Sequence, residues 1–232
     1  LAVAGGEDVF KTFLELERQP RKWRQKLYVN PSFYATYGGW TYDKEGNYIE
    51  TNFNKCYPLI KGSLEEKKKS PVKIGVKTDE KCPKCGCTIV NLMEIDGVIK
   101  AKCCPNCFTF SEGDYCRYTV NGESEAIVGE DTSEEEDYLG ESGIEELTSN
   151  TFVLGDKPVP LRFAADWEGG SSVGGFAAWI QDCEIKMCPD CGRPMKYLAQ
   201  IQWDTVLDGM EGNAYIEICK DCKTMVMLHQ QT

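Results

Sequence analysis

The sequence of 232 residues lacks most of what a catalytic or membrane protein requires. It has a single histidine, His229, and no apolar run that approaches the roughly 18 residues of a membrane span. One histidine leaves little room for a Ser-His-Asp or Cys-His system, and the many carboxylates include no pair that sequence alone identifies as acid and base. No secretory hydrophobic segment opens the chain. We therefore expect a protein without enzymatic activity and without a membrane segment.

Excess positive charge is also lacking. The chain has 26 Lys or Arg against 37 Asp or Glu, a net charge of −11. Residues 118–156 contain twelve of the acids and no Lys or Arg, so the rest of the chain has 25 acids against 26 bases, a net charge of +1. This near-neutral body does not support nucleic-acid binding through charge. The acidic segment is typical of a solvated loop or of a surface that binds a basic partner.

Cysteine, in contrast, is abundant. Eight of the thirteen cysteines form four C-x-x-C pairs, at 82–85, 104–107, 188–191 and 219–222. Stretches of 18 and 27 residues separate the first two pairs and the last two. A C-x-x-C turn directs both sulfurs to one point, and two such turns supply the four thiolates of a tetrahedral metal site. The odd count and the paired spacing favour a reducing, cytoplasmic location over a disulfide framework.

Each predicted site has four protein ligands and no open position for water, which is typical of structural zinc. We predict two structural Zn²⁺ ions, with iron as the alternative because C-P-x-C-G turns also occur in rubredoxin-type sites. Cys87 and Cys103 lie beside the first set, and the sequence leaves open whether either replaces a ligand. The predicted ligands are Cys82, Cys85, Cys104 and Cys107 at the first site and Cys188, Cys191, Cys219 and Cys222 at the second.

Hydrophobic patterning predicts an α+β fold that is sheet-rich and mostly antiparallel, with short N-terminal helices. A strand at 88–95, an Asp96-Gly97 turn and a returning strand at 98–102 form a hairpin that joins the first two cysteine turns, as in a zinc ribbon. The glycine cluster at 169–175 predicts a turn before a buried strand rather than a phosphate loop. The other predicted elements are helices at 9–18, 23–28 and around 144–147, a hairpin within 33–53, and strands at 115–120, 196–203, 214–218 and 224–228.

Composition divides the chain into four segments, which we expect to form one compact unit. They are N-terminal helices with a hairpin (1–81), the first zinc ribbon (82–120), an acidic connector (121–156) and a C-terminal zinc-containing region (157–232).

The segment 174–182 reads G-G-F-A-A-W-I-Q-D, which resembles the G-G-x-P-x-W-I-Q-D signature of bacterial YwqG-like proteins. The resemblance is strong over 171–232, although Ala177 stands where the family usually has proline. It implies a mixed, sheet-rich intracellular protein whose biochemical role is largely unassigned. The family is distantly similar to the programmed cell death protein two group, whose eukaryotic members are linked to ribosomal-protein chaperoning. Some YwqG-like genes lie near polymorphic toxin systems.

These features predict a zinc-stabilised protein-binding module. Its partner would be basic, either a toxin that the chain neutralises as an immunity protein or a ribosomal-type client that it binds as a chaperone. The alternatives are a nucleic-acid-binding zinc-ribbon protein, which the acidic segment disfavours, and an enzyme with an unrecognised site. The candidate partner-binding residues are Trp179 and Gln181 of the signature and the acidic run Glu134, Glu135, Glu136 and Asp137.

Overall fold

The computed structural model describes residues 40–42, 48–50, 56–108, 113–127, 139–157, 170–175, 177–181 and 184–231. The helices predicted at 9–18 and 23–28 lie outside these residues, and so does the acidic run Glu134, Glu135, Glu136 and Asp137. Two strands of the hairpin predicted within 33–53 are described. They are β1 (Trp40–Tyr42) and β2 (Tyr48–Glu50), which pair antiparallel.

The rest of the described chain is dominated by strands. They are β3 (Tyr57–Lys61), β4 (Val72–Lys81), β5 (Thr88–Ile95), β6 (Ile99–Cys103), β7 (Asp114–Tyr118), β8 (Ser124–Ile127), β9 (Phe152–Leu154), β10 (Ser172–Val173), β11 (Lys196–Gln202), β12 (Asn213–Cys219) and β13 (Thr224–Gln230). The helices are α1 (Leu64–Lys69), α2 (Pro105–Phe108), α3 (Gly140–Ser149) and α4 (Trp203–Val206). The prediction of a sheet-rich, mostly antiparallel protein is confirmed.

Two larger sheets organise these strands. The first has eight strands in the order β8-β7-β13-β12-β11-β10-β3-β9, and the second has three in the order β4-β5-β6. Every strand pairing described in them is antiparallel. All four segments that composition separates contribute strands to the eight-stranded sheet.

The middle strand of the eight-stranded sheet, β12, is buried on both faces, and each of its seven residues is buried. Successive strand side chains point to opposite faces. Ile216 accordingly belongs to the core on one face, and Tyr215 to the core on the other. Five of the seven residues of this doubly covered strand are accordingly apolar, and the other two are the buried polar residues Asn213 and Glu217.

The larger core lies between the two sheets and includes side chains of α3 and α4. Burial of one such side chain stabilises the fold by about 1.5–3 kcal/mol. Its largest fully buried members include Ile74, Leu92, Met93, Phe108, Ile144, Leu147, Ile201, Trp203 and Ile216.

The opposite face of the eight-stranded sheet is covered by the chain before β11. There Trp179 lies against Tyr215 with ring centroids 4.3 Å apart, and Met195 packs in the same core. The Tyr215 hydroxyl donates to the carbonyl of Ala178 at 2.6 Å and so fixes this segment to the sheet.

The hairpin prediction at 88–95 agrees with β5, and both turn residues have positive φ, 51° at Asp96 and 68° at Gly97. The strand predicted at 196–203 is one residue shorter because Trp203 begins α4. The sequence analysis missed β4, whose interspersed lysines hide its alternation, and β8 within the acidic segment. No helix among the described residues is long and apolar enough to cross a membrane.

Candidate metal centres

The first centre forms where the three-stranded sheet brings two cysteine turns together. Turn 82–85 lies between β4 and β5, and turn 104–107 follows β6. The four sulfurs of these turns all lie within 4.8 Å of one another. The sulfur of Cys82 is 3.8 Å from that of Cys107, and Cys85 is 3.5 Å from Cys104. A tetrahedron with metal–sulfur bonds of about 2.3 Å has edges of about 3.8 Å, so a thiophilic metal ion fits this group.

The backbone shapes both turns of the first centre. The Cys82 N–H donates to the Cys87 carbonyl at 2.8 Å, and the Gly86 N–H donates to the Cys82 carbonyl at 2.9 Å. Gly86 has a φ of +73°, a left-handed conformation that glycine adopts at little cost. In the other turn the N–H of Phe108 donates to the Cys104 carbonyl at 3.0 Å, which starts α2.

The second centre is built on the eight-stranded sheet. Turn 188–191 precedes β11, and turn 219–222 connects β12 to β13. Its four sulfurs also lie within 4.8 Å of one another, and the sulfurs of Cys191 and Cys219 are 3.8 Å apart. Gly192, after the first turn, has a φ of +66°, whereas the equivalent position after the second turn is Lys223, with a φ of +57°.

A polar contact joins the first centre to α3. Asn106, between the two cysteines of turn 104–107, is 4% exposed. Its side-chain oxygen accepts hydrogen bonds from the backbone N–H groups of Leu139 and Gly140, at 2.9 and 3.0 Å. The residue before α3, Leu139, provides no side-chain cap. Turn 104–107 therefore supplies the N-terminal cap that the helix lacks.

Glu141 makes a second contact between α3 and the first centre. Its carboxylate accepts from the backbone N–H of Thr88 at 2.8 Å and from the Lys81 ammonium at 2.5 Å. Thr88 is the first residue of β5, and Lys81 immediately precedes the first cysteine turn. The start of α3 is thus attached to both cysteine turns of the first centre.

Charged side chains surround the second centre. The Arg193 guanidinium donates through Nε to the Cys191 sulfur at 3.4 Å and through Nη2 to Asp221 at 2.6 Å. Asp190, between the two cysteines of turn 188–191, accepts from Arg117 and from the Thr224 hydroxyl, each at 2.6 Å. These contacts link the two turns to each other and to β7 and β13.

Within each centre the pKa of one thiol is lowered and the pKa of another is raised. The Arg193 side chain, with its backbone, lowers the pKa of Cys191 to about 6. Burial raises the pKa of Cys85, but hydrogen bonds from the Cys87 backbone and neighbouring thiols outweigh it and lower the pKa to about 7. Burial and the neighbouring sulfurs raise the pKa of Cys107 to about 12. Four thiolates repel one another, and a bound metal ion removes this penalty.

The buried carboxyl group of Glu217 lies two residues before Cys219. It accepts a hydrogen bond from the Lys186 backbone N–H at 3.0 Å. Burial raises the pKa of Glu217 to about 8. This shift favours the neutral form of the carboxyl group.

The structure brings together the eight predicted cysteines as two groups of four. Cys87 and Cys103 are buried beside the first group but are not members of it. Burial also raises the pKa of Cys103 well above its usual value, which disfavours a thiolate there.

The two signature residues proposed for partner binding occupy different environments. Trp179 is 6% exposed and belongs to the core. Gln181 is exposed, and its side-chain amide donates to the Gln231 carbonyl at 2.6 Å. Within the described residues both attach the signature segment to the sheet, and their partner-binding role stays a prediction.

His229 has a packing role. The indole Nε1 of Trp203 donates to His229 Nδ1 at 2.9 Å, and the imidazole packs edge-on against Phe108. Burial lowers the pKa of His229, which keeps the ring neutral.

Sequence reasoning missed the residues that support the two centres. Asn106 and Asp190 occupy the same position in their C-P-x-C turns, and a polar residue there was an available signal. Arg193 follows the C-P-D-C-G turn directly, so its closeness to the cysteines could also have been inferred from the sequence. What each side chain contacts depends on α3, β7 and the opposite turn, which are distant in sequence.

One comparison with known proteins gives a match, to a protein of unassigned function. The whole chain aligns over 259 positions, at 28% identity, with an uncharacterised protein, YpfL, of Salmonella typhimurium. The chain spans 57% of that relative, or about half of its length. No family model and no solved structure matches the chain.

Proposed function

We propose that this chain is a zinc-stabilised protein-binding module in which both metal ions are structural. The observation that carries the proposal is that each centre has four converging thiols, which would fill a tetrahedral coordination shell. A filled shell leaves no position for substrate or water. Zinc is the metal we propose, and iron is the alternative that suits the same ligands.

The positions of the two centres support a zinc-ribbon-like role. Each centre joins two turns at one end of antiparallel strands. Backbone hydrogen bonds alone would leave those two turns unattached to each other. Metal binding at such sites provides on the order of 10 kcal/mol in small zinc-finger peptides and is coupled to folding. The ions would therefore hold the ends of both sheets.

We infer that the partner is a basic protein, and that the chain binds it in the cytoplasm as an immunity or chaperone-like protein. The described surface supports this inference through an open groove of about 410 Å³ between α3 and α4. Its lining includes the exposed carboxylates Glu146, Asp204 and Asp208 and one basic residue, Lys61. A groove with excess negative charge attracts basic segments and suppresses the binding of acidic ones.

Metal analysis of the purified 232-residue chain tests the scaffold. We expect about two zinc ions per chain and, after chelation, loss of β-sheet signal in circular dichroism. The adjacent pair Cys103 and Cys104 offers a matched control. Cys104→Ala should lose one ion because it removes a ligand, whereas Cys103→Ala should keep both. Full structure after complete removal of metal would contradict a structural role.

Charge neutralisation tests the binding surface. The groove variant carries Glu146→Gln, Asp204→Asn and Asp208→Asn. A control variant removes three exposed carboxylates outside the groove with Asp79→Asn, Glu123→Gln and Asp156→Asn, so the net charge is the same. Fluorescence anisotropy with an arginine-rich peptide should show weaker binding for the groove variant than for the control, and binding that falls with salt. Equal binding by the two variants would refute this surface.

A further inference from the structure

The two cysteine centres differ in the access that solvent has to their sulfurs. At the first centre Cys82 and Cys104 are 4% and 5% exposed, and Cys85 and Cys107 are half-buried. At the second centre Cys191 is exposed. It is the one exposed cysteine among the eight, so a reagent in solution reaches its sulfur first.

The Arg193 guanidinium lies beside this exposed sulfur, and a further hydrogen bond fixes its position. Arg193 donates to the Cys191 sulfur, and its guanidinium is fixed by Asp221 on the opposite turn. A hydrogen-bond donor placed in this way can stabilise negative charge that develops on the oxygen leaving a peroxide. The first-centre cysteines show no comparable arginine contact among the described residues.

A second thiol is close enough to complete an oxidation. The Cys219 sulfur lies 3.8 Å from that of Cys191, and a disulfide requires the two sulfurs to approach to about 2.05 Å. The two cysteines lie on different turns, so the disulfide would cross-link the two halves of the centre.

We propose that the second centre is an oxidation site for hydroperoxides, at which Cys191 reacts first, Cys219 forms the disulfide and the metal ion leaves. The release step rests on the proposed metal scaffold. The oxidation step rests on the exposure of Cys191 and on its contacts with Arg193 and Cys219.

The chemistry balances with the peroxide as the two-electron oxidant. The Cys191 thiolate attacks one oxygen of hydrogen peroxide, the O–O bond breaks, and hydroxide leaves and takes a proton to become water. The Cys191 sulfenic acid that results is attacked at sulfur by the Cys219 thiolate, which displaces a second hydroxide. Two thiolates have then given two electrons, and two protons from solvent complete two waters. The metal ion, with two of its four ligands gone, dissociates.

Stoichiometric oxidation of the zinc-loaded 232-residue chain tests this proposal. One equivalent of hydrogen peroxide is added, released zinc is followed with a chromogenic indicator, and disulfides are located by peptide mass spectrometry. We expect release of about one ion per chain, a Cys191–Cys219 linked peptide, and retention of the first-centre ion. Release of both ions together, or oxidation that begins at the first-centre cysteines, would overturn the proposal.

A pair of arginine variants tests the role of the cation. Arg193→Gln should slow release roughly threefold to tenfold because the cation that stabilises the charge on the departing peroxide oxygen is lost. Arg117→Gln is the matched control, since it removes an arginine contact to an aspartate of the same centre without removing a contact to sulfur. Equal rates for the two variants would exclude the role given to Arg193. A chain that purifies without metal would refute the scaffold instead, and the peptide map after peroxide treatment would still decide where oxidation occurs.

Discussion

Truncation of Asn106 provides the sharpest test of the link between the first cysteine centre and α3. In Asn106→Ala the backbone N–H groups of Leu139 and Gly140 lose their acceptor. A typical intramolecular hydrogen bond contributes about 0.5–1.5 kcal/mol, so loss of the two should lower the free energy of unfolding by about 1–3 kcal/mol. Most of this loss should reflect weaker docking of α3, because the helix has no cap of its own.

The assay is equilibrium urea unfolding of protein prepared in the presence of zinc, with hydrogen exchange to locate the change. Amide protection in α3 should fall in Asn106→Ala, while the metal content stays at the wild-type value. Asp190→Ala is the matched control, because Asp190 occupies the same position in the second centre but is exposed to solvent. Its truncation removes a screened ion pair with Arg117 and one hydrogen bond from the Thr224 hydroxyl, and neither contact involves α3. A fall in α3 protection in Asp190→Ala equal to that in Asn106→Ala, or unchanged protection of α3 in Asn106→Ala, would refute the capping role.

Two further predictions follow from close packing and from charge. Gly75→Ala should destabilise the fold by about 2–4 kcal/mol, since φ is +61° and the new Cβ would lie 2.6 Å from the Leu147 carbonyl oxygen. Gly97→Ala is the control, because Gly97 has a φ of +68° and open space around it, and this change should lower the free energy of unfolding by about 1–2 kcal/mol. Equal unfolding midpoints for the two variants would contradict the close contact between Gly75 and α3. Burial lowers the pKa of His229, so as the pH falls the imidazole of the unfolded chain binds a proton at a higher pH than that of the folded chain. Stability should therefore fall as pH drops below about 6.5, by at most about 1.4 kcal/mol per pH unit. In urea titrations from pH 7.5 to 5, His229→Gln should lose less stability than the wild type, and parallel curves would exclude this linkage.

Much of the secondary structure was accessible from local pattern. The strand at 88–95 and the strands around Cys219 and Thr224 followed from β-branched and apolar runs next to recognisable turns. The ten-residue strand β4 could not be predicted in this way, because its lysines are also typical of a charged connector. Its pairing with β5 identifies it as a strand. The short strands β9 and β10 have too few residues to show an alternating hydrophobic pattern. Only their pairing with neighbouring strands identifies them as strands.

The sequence by itself determined the four C-x-x-C turns, because such a turn is a local structure and its two sulfurs converge wherever the turn is placed. Tertiary structure alone decided how the two centres differ. Asn106 is buried against α3, whereas Asp190 at the equivalent position is exposed and paired with Arg117. Solvent exposure and charge contacts depend on which distant elements pack over a turn, and that information lies in no short stretch of the chain.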